Sequence, residues 1–188
     1  MIYKKIPYTD SQILLQQFEL SEPELKKTLA LLSPHEVIEY LTDQKLYIDL
    51  INYLSHGLPV REGIWWACLA MDLRLDTWGA EEQKALAECK RWVTEPDEHK
   101  RRTAEYFAEK LENTSAVRWL AQSVFWSGQG SIAPPGEPVT LPPDFLHAKA
   151  SSGAINTAAV IPEWDGYEEY YQQVISSGLD LARGGSGQ

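Results

Sequence analysis

The chain has 188 residues, a formal net charge of −10 at pH 7, 44% hydrophobic and 23% charged residues. That length can bury a core without disulfide or metal staples, and the balance is far from that of a disordered or membrane-spanning chain. The negative field repels phosphate backbones and no dense Lys/Arg cluster overturns it locally, so nucleic acid is not an expected partner.

A helical period recurs from the start of the chain. Thr9 or Asp10 can cap a short helix carrying Ile13, Leu14, Gln17 and Phe18. Ser21 opens a second, with Pro23 and Glu24 in its first turn and Leu25, Leu29 and Leu32 on one face. Ser33, Pro34 and Glu36 combine a cap, a proline at the first helical position and an acid at the third, the strongest start signal in the chain. The helix they open turns Val37, Ile38 and Leu41 inward. A fourth runs from about Asp43 to Ser55 with Leu46, Tyr47, Leu50, Ile51 and Leu54 as its stripe, and stops at Gly57.

Pro59 starts a longer helix in which Ile64, Trp65, Cys68, Leu69 and Leu73 line one side, while Trp66 and Ala70 widen the apolar arc. After a break at 76–79, Ala85, Leu86, Cys89, Trp92 and Val93 form the next stripe, which ends before Pro96. Cys68 and Cys89 both fall within apolar stripes, as small buried thiols do in a reducing compartment. Asp97 opens a helix carrying Ala104, Phe107, Ala108 and Leu111. Its basic run Lys100, Arg101 and Arg102 follows Glu95, Asp97 and Glu98, the pattern of a solvated face. Asn113 or Thr114 then caps a helix with Val117, Leu120, Ala121, Val124 and Phe125 inward.

From Gly128 to Pro143 glycine and proline dominate, and five prolines deny the segment a continuous hydrogen-bond ladder. It reads as a long irregular crossover. Two helices follow, from Asp144 to about Val160 and from Glu163 to about Arg183, the second with Tyr167, Tyr170, Tyr171, Val174 and Ile175 as its apolar side. Gly184 through Gln188 reads as a flexible tail. The expected fold is therefore all-α: one domain over residues 1–183, a bundle of about eight to ten helices in successive antiparallel hairpins, with the crossover before the last two. Trp65, Trp92 and Trp119 recur at equal spacing, but their flanks match no helical-repeat signature, and a packed core explains them. No stretch is apolar for long enough to span a membrane, and residues 1–10 lack a secretory signal, so the expected location is the cytoplasm.

Catalytic chemistry finds little purchase. The four histidines, His35, His56, His99 and His147, stand far apart and no Cys-x-x-Cys pair exists, so neither a metal nor any other cofactor is expected. Cys68 with His56, or Ser55 beside His56, are the candidate nucleophile and base pairs, but a thiol in an apolar stripe is inert. Ser127 to Ser131 resembles a phosphate loop only in its glycines, since it follows a helix and lacks the Lys-Ser/Thr element. The unusual feature is the aromatic load of seven Trp and nine Tyr. Trp119 and Trp126 share a helical face beside the crossover. They are either core covered by the proline strip or, with Tyr167, Tyr170 and Tyr171, the lining of a groove for a partner's peptide or helix.

At Leu58-Pro59-Val60-Arg61-Glu62-Gly63-Ile64-Trp65-Trp66-Ala67-Cys68-Leu69 the chain resembles a bacterial family of unknown biochemical function. Arg91-Trp92-Val93 with Pro96 continues the resemblance, followed by Phe125-Trp126-Ser127-Gly128 through Ala133-Pro134-Pro135-Gly136, and by Gly178-Leu179-Asp180-Leu181-Ala182-Arg183-Gly184. Relatives in that family are encoded beside type VI secretion genes, including those for the sheath and for the spike-tip protein with Pro-Ala-Ala-Arg repeats. The resemblance implies a non-enzymatic adaptor or chaperone that holds a spike-tip or effector protein, and it carries no site residues. The alternatives are an immunity protein that neutralises a secreted toxin, and an enzyme built from scattered polar residues such as Arg61, Glu62 and Asp72.

Overall fold

A computed structural model describes residues 3–188. Among them ten α-helices and no strand form one helical body. These are α1 (Ser11–Leu15), α2 (Lys26–Leu29), α3 (Pro34–Asp43), α4 (Tyr47–Gly57), α5 (Val60–Asp72), α6 (Ala80–Thr94), α7 (Glu98–Lys110), α8 (Ala116–Phe125), α9 (Leu146–Ala158) and α10 (Tyr167–Arg183). Short 3₁₀ turns at Pro23–Leu25 and Leu75–Thr77 complete the chain.

Local chemistry sets most of the helix ends. Asp10 caps α1 by accepting from the Gln12 amide at 2.8 Å, and Asp97 caps α7 through the Lys100 amide. At α3 the Ser33 hydroxyl accepts from the Glu36 amide while the Glu36 carboxylate accepts from the Ser33 amide at 2.8 Å, a reciprocal capping box. Ser33→Ala is expected to lower stability by about 1 kcal/mol in urea melts, the usual worth of such a cap. An unchanged midpoint would show that tertiary packing alone fixes the start of α3. The cap of α8 is Ser115, not Asn113 or Thr114, and it accepts from the Arg118 amide. Ser21 caps no helix. Its amide and hydroxyl donate to the buried carboxylate of Asp49, which ties the loop after α1 to α4.

α5 is the central helix and packs against α6, α8, α9 and α10, while α4 packs against α3, α9 and α10. Such crossing contacts between distant elements define a packed body rather than a stacked array, where each repeat meets only its neighbours. Of the expected apolar arc of α5, Ile64, Trp66, Cys68 and Ala70 are buried, but Ala67 and Met71 are buried with them, whereas Trp65 and Leu69 are half-buried and Leu73 is exposed. The small residues Gly63, Ala67 and Ala70 bring α5 into the centre, and the indole of Trp66 is the large side chain that fills the space toward α10. Residues 184–188, expected as a flexible tail, fold back on the body: the Trp65 indole donates to the Ser186 carbonyl at 3.0 Å and the Gly187 amide to Asp180 at 2.9 Å.

Candidate functional site

An aromatic-lined concavity lies where α4 begins and α10 begins. Lys45 adopts a left-handed φ of 54°, which breaks the chain between α3 and α4 and turns Leu46, Tyr47 and Ile48 toward the surface. Across from them, Val160 and Trp164 follow α9, and Gly166, with a φ of 88°, turns the chain into Tyr167, Glu168 and Tyr171 of α10. These residues enclose a cleft of about 280 Å³. Its rings are ordered: Tyr47 stacks on Tyr171 at 5.3 Å, Trp164 leans on Tyr167 at 5.1 Å, and Tyr167 meets Tyr171 edge-on at 6.3 Å. The Tyr171 hydroxyl donates to Asn156 at 3.0 Å, and burial pushes its phenol up to about 12, so it stays neutral.

Trp164 is 65% exposed and Ile48 50% exposed, so the cleft offers aromatic and aliphatic surface to solvent. Its margin carries acids: Glu168 lines the cleft and the exposed Glu163 and Asp165 flank Trp164 in the chain, against Lys45 as the cation of the lining. An apolar floor within a negative margin suits a basic segment carrying an apolar or planar cationic anchor, because rings attract cations and the rim attracts their charge.

The residues expected to form one groove are divided by the fold. Tyr167 and Tyr171 line the cleft. Tyr170 turns inward, donating to the Ile155 carbonyl at 3.1 Å with the Arg74 guanidinium 5.0 Å from its ring. Trp119 lies on α8 against Gly153 of α9, and Trp126 ends α8; both are half-buried. α9 packs directly on α8 while α10 packs on α4 and α5, so the tryptophans and the tyrosines belong to different faces. Leu46 and Tyr47, which the sequence assigns to the inward stripe of α4, and Trp164, which the expected groove did not include, also line the cleft. Only Trp164, an aromatic set between Glu163 and Asp165, carried a signal of exposure.

The scattered polar residues hold helices together. Arg61 donates to the Val93 carbonyl at 2.6 Å and so caps the end of α6; Glu62 pairs with Lys5 at 2.7 Å, and Asp72 with Lys90 at 2.6 Å. They do not converge. Cys68 is fully buried, and burial first, with Cys89 nearby, pushes its thiol well above the ordinary range. Among the described residues, no group of three or more His, Cys, Asp or Glu side chains could hold a metal ion, and no helix is long and apolar enough to cross a membrane.

His56 is buried on α4 between Phe18 and Phe145, its Nδ1 held by the Asn52 carbonyl at 2.7 Å. Burial lowers its basicity, the Asn52 bond opposes this and Lys149 adds to it. His147 on α9 is pushed down to about 4, by burial first and then by His56. An unfolded imidazole titrates near 6.5, so below that pH the unfolded chain takes up protons that the native chain refuses. Stability is therefore fully present at neutral pH and falls as pH drops from about 6.5 toward about 4. The melting temperature should decline over this window, and His147→Gln should flatten the decline. An equal slope in the variant would remove His147 as the cause.

Residues 37–182 match the family of unknown function DUF6931, and the chain belongs to that family. Neither a curated protein nor a solved structure matches the sequence.

Proposed function

We propose that the protein is a non-enzymatic adaptor or chaperone of a type VI secretion system that acts in the cytoplasm and holds a spike-tip or effector protein by a segment laid in the cleft between α4 and α10. The secretion context follows from the family resemblance. The observation that supports the binding role is the exposed, acid-rimmed cleft of Tyr47, Trp164, Tyr167 and Tyr171. The partner segment is basic, because a body of net charge −10 with acids around the cleft attracts cations and repels anions.

The test is affinity purification from a secreting strain at low salt, wild type beside Trp164→Ala. Recovery of a spike or effector component by wild type, several-fold reduced in the variant and weakened by added salt, is the expected result. Wild type that recovers no secretion component overturns the proposal. A deletion strain killed by its siblings would replace the adaptor reading with that of an immunity protein.

A further inference from the structure

The crossover between α8 and α9, the proline strip, lies largely in solvent: residues 134–141 are exposed, Val139 at 79% and Leu141 at 61%. Its two ends hold it, and they are built differently. At the root, Arg101 and Arg102 both donate to the Ser131 carbonyl at 2.8 Å, and Arg102 also to Ala133. A guanidinium stays charged throughout the ordinary pH range, and its bonds hold the Glu98 carboxyl below the usual carboxylate range, so mild acid leaves this end intact. At the far end Phe145, the last residue before α9, lies at a left-handed φ of 59° without being glycine, and gives α9 no side-chain cap. Packing rather than local preference therefore keeps it there. That packing is on His56 of α4, whose imidazole lies 5.8 Å from the Phe145 ring and 5.4 Å from that of Phe18. The Asn52 carbonyl can only accept, so Nδ1 of His56 carries the proton and Nε2 the lone pair. Nε2 is buried and has no partner among the described residues.

We propose that the far end is an acid-operated release: when His56 and His147 take up protons, Phe145 leaves its seat on α4 and the crossover stays attached by its arginine root. A protonated His56 would bury a second N–H with nothing to accept from it, so the cation is tolerated only once the ring meets water. The charged groups around it do not offset this. Glu19, on the loop after α1, lines the same cavity but is exposed and hydrated, as is Asp144 beside Phe145 in the chain. From α9 come Lys149, in that cavity, and His147, and both oppose a charge on His56. Freed imidazoles titrate near about 6.5, while His147 in place does so only at about 4. Between these limits each pH unit lost multiplies the ratio of released to seated Phe145 by up to about tenfold through His147, and His56 adds to this in the same direction. Pro142 and Pro143 precede the junction, so the released residues cannot be taken up by extending α9 backward. None of this depends on the reading of the cleft.

The chain's four phenylalanines serve as the probes: Phe18 and Phe145 flank His56, Phe125 lies under Arg101 at the root, and Phe107 is buried in the body. The full chain is labelled with 4-fluorophenylalanine, each signal is assigned by its Phe→Leu variant, and fluorine NMR spectra are taken from about pH 7 to about pH 4.5, within the range where imidazoles titrate. The Phe145 signal should move to a solvent-exposed shift, while those of Phe107 and Phe125 and the helical circular dichroism hold. Glutamine is uncharged throughout, so His56→Gln and His147→Gln should each flatten the response of Phe145, and the double variant should abolish it. All four signals moving together with one midpoint would mean global acid unfolding and would overturn the inference. So would a Phe145 signal that never moves, or one that moves undiminished in the double variant. Should His56→Gln fail to fold, His147→Gln alone decides, and an unchanged Phe145 curve in it rejects the release.

Discussion

Replacing Gly178 by alanine is expected to destabilise the protein by about 3 kcal/mol, although the change enlarges one residue by a single methyl. A Cβ at this position would stand 2.5 Å from Cε2 and 2.6 Å from Cζ2 of Trp66. That indole is fully buried, and its N–H donates at 2.8 Å to the carbonyl of Val174, on the helix that carries Gly178. Relieving the clash by shifting Trp66 would strain the core and also break this bond, leaving the buried indole N–H unpaired at a cost of about 1 to 3 kcal/mol, while the Val174 carbonyl keeps the Ser177 hydroxyl. Alanine would otherwise favour the helix by about 1 kcal/mol, so the packing term must exceed that gain for the sign to hold. Gly153 of α9 is the internal control. A Cβ there would meet the Trp119 ring at an ordinary 3.7 Å, so Gly153→Ala should be neutral or stabilising. Urea melts of the two variants decide the matter, and combining Gly178→Ala with Trp66→Phe should recover part of the loss. Equal stability of both single variants would show that α10 simply shifts outward.

The same glycine explains where reading the sequence fell short. The capping box of Ser33 and Glu36, and the stripe Ala85, Leu86, Cys89, Trp92 and Val93, depend on neighbours in the chain and appear in the fold as expected. In α5 the periodicity places Ile64, Cys68, Trp66 and Ala70 inside, as they are, but it passes over the buried Gly63 and Ala67 and includes Leu73, which lies outside. Small residues mark where helices approach closely, a signal that size-weighted periodicity discards. The cleft was beyond such reading altogether. Its walls, 45–48 and 160–171, lie more than a hundred residues apart, and they meet because α10 returns to α4 across α9. Of the five residues of the expected aromatic groove, Tyr167 and Tyr171 line the cleft and Tyr170 turns inward, while Trp119 and Trp126 lie on α8 and at its end, at the other side of α9.

Arg101→Leu is expected to cost about 3 kcal/mol, the lower end of what breaking a buried ion pair removes. The run of Lys100, Arg101 and Arg102 has the composition of a solvated face, but Arg101 is fully buried. Its guanidinium donates to Glu98 at 2.6 and 2.7 Å, to the Phe125 carbonyl at 2.8 Å and to Ser131, and lies 5.0 Å from the Phe125 ring. Leucine fills part of the volume and satisfies none of these acceptors. Glu98 itself is exposed and rehydrates readily, which is why the cost stays at the lower end. The orphaned carbonyl of Phe125 ends α8, so the damage should concentrate where α8 passes into the strip. Amide exchange and proteolysis at residues 128–141 should rise sharply in the variant while the amides of α5 keep their protection relative to global stability. Arg102, half-buried and also bonded to Ser131 and Ala133, should lose only about 1 kcal/mol as leucine, since Arg101 still holds the root. If exchange rose uniformly instead, Arg101 would be a general core residue. If it rises only in the strip, the buried guanidinium is there to hold an exposed apolar segment in a fixed shape, and that is hard to explain unless the shape is used.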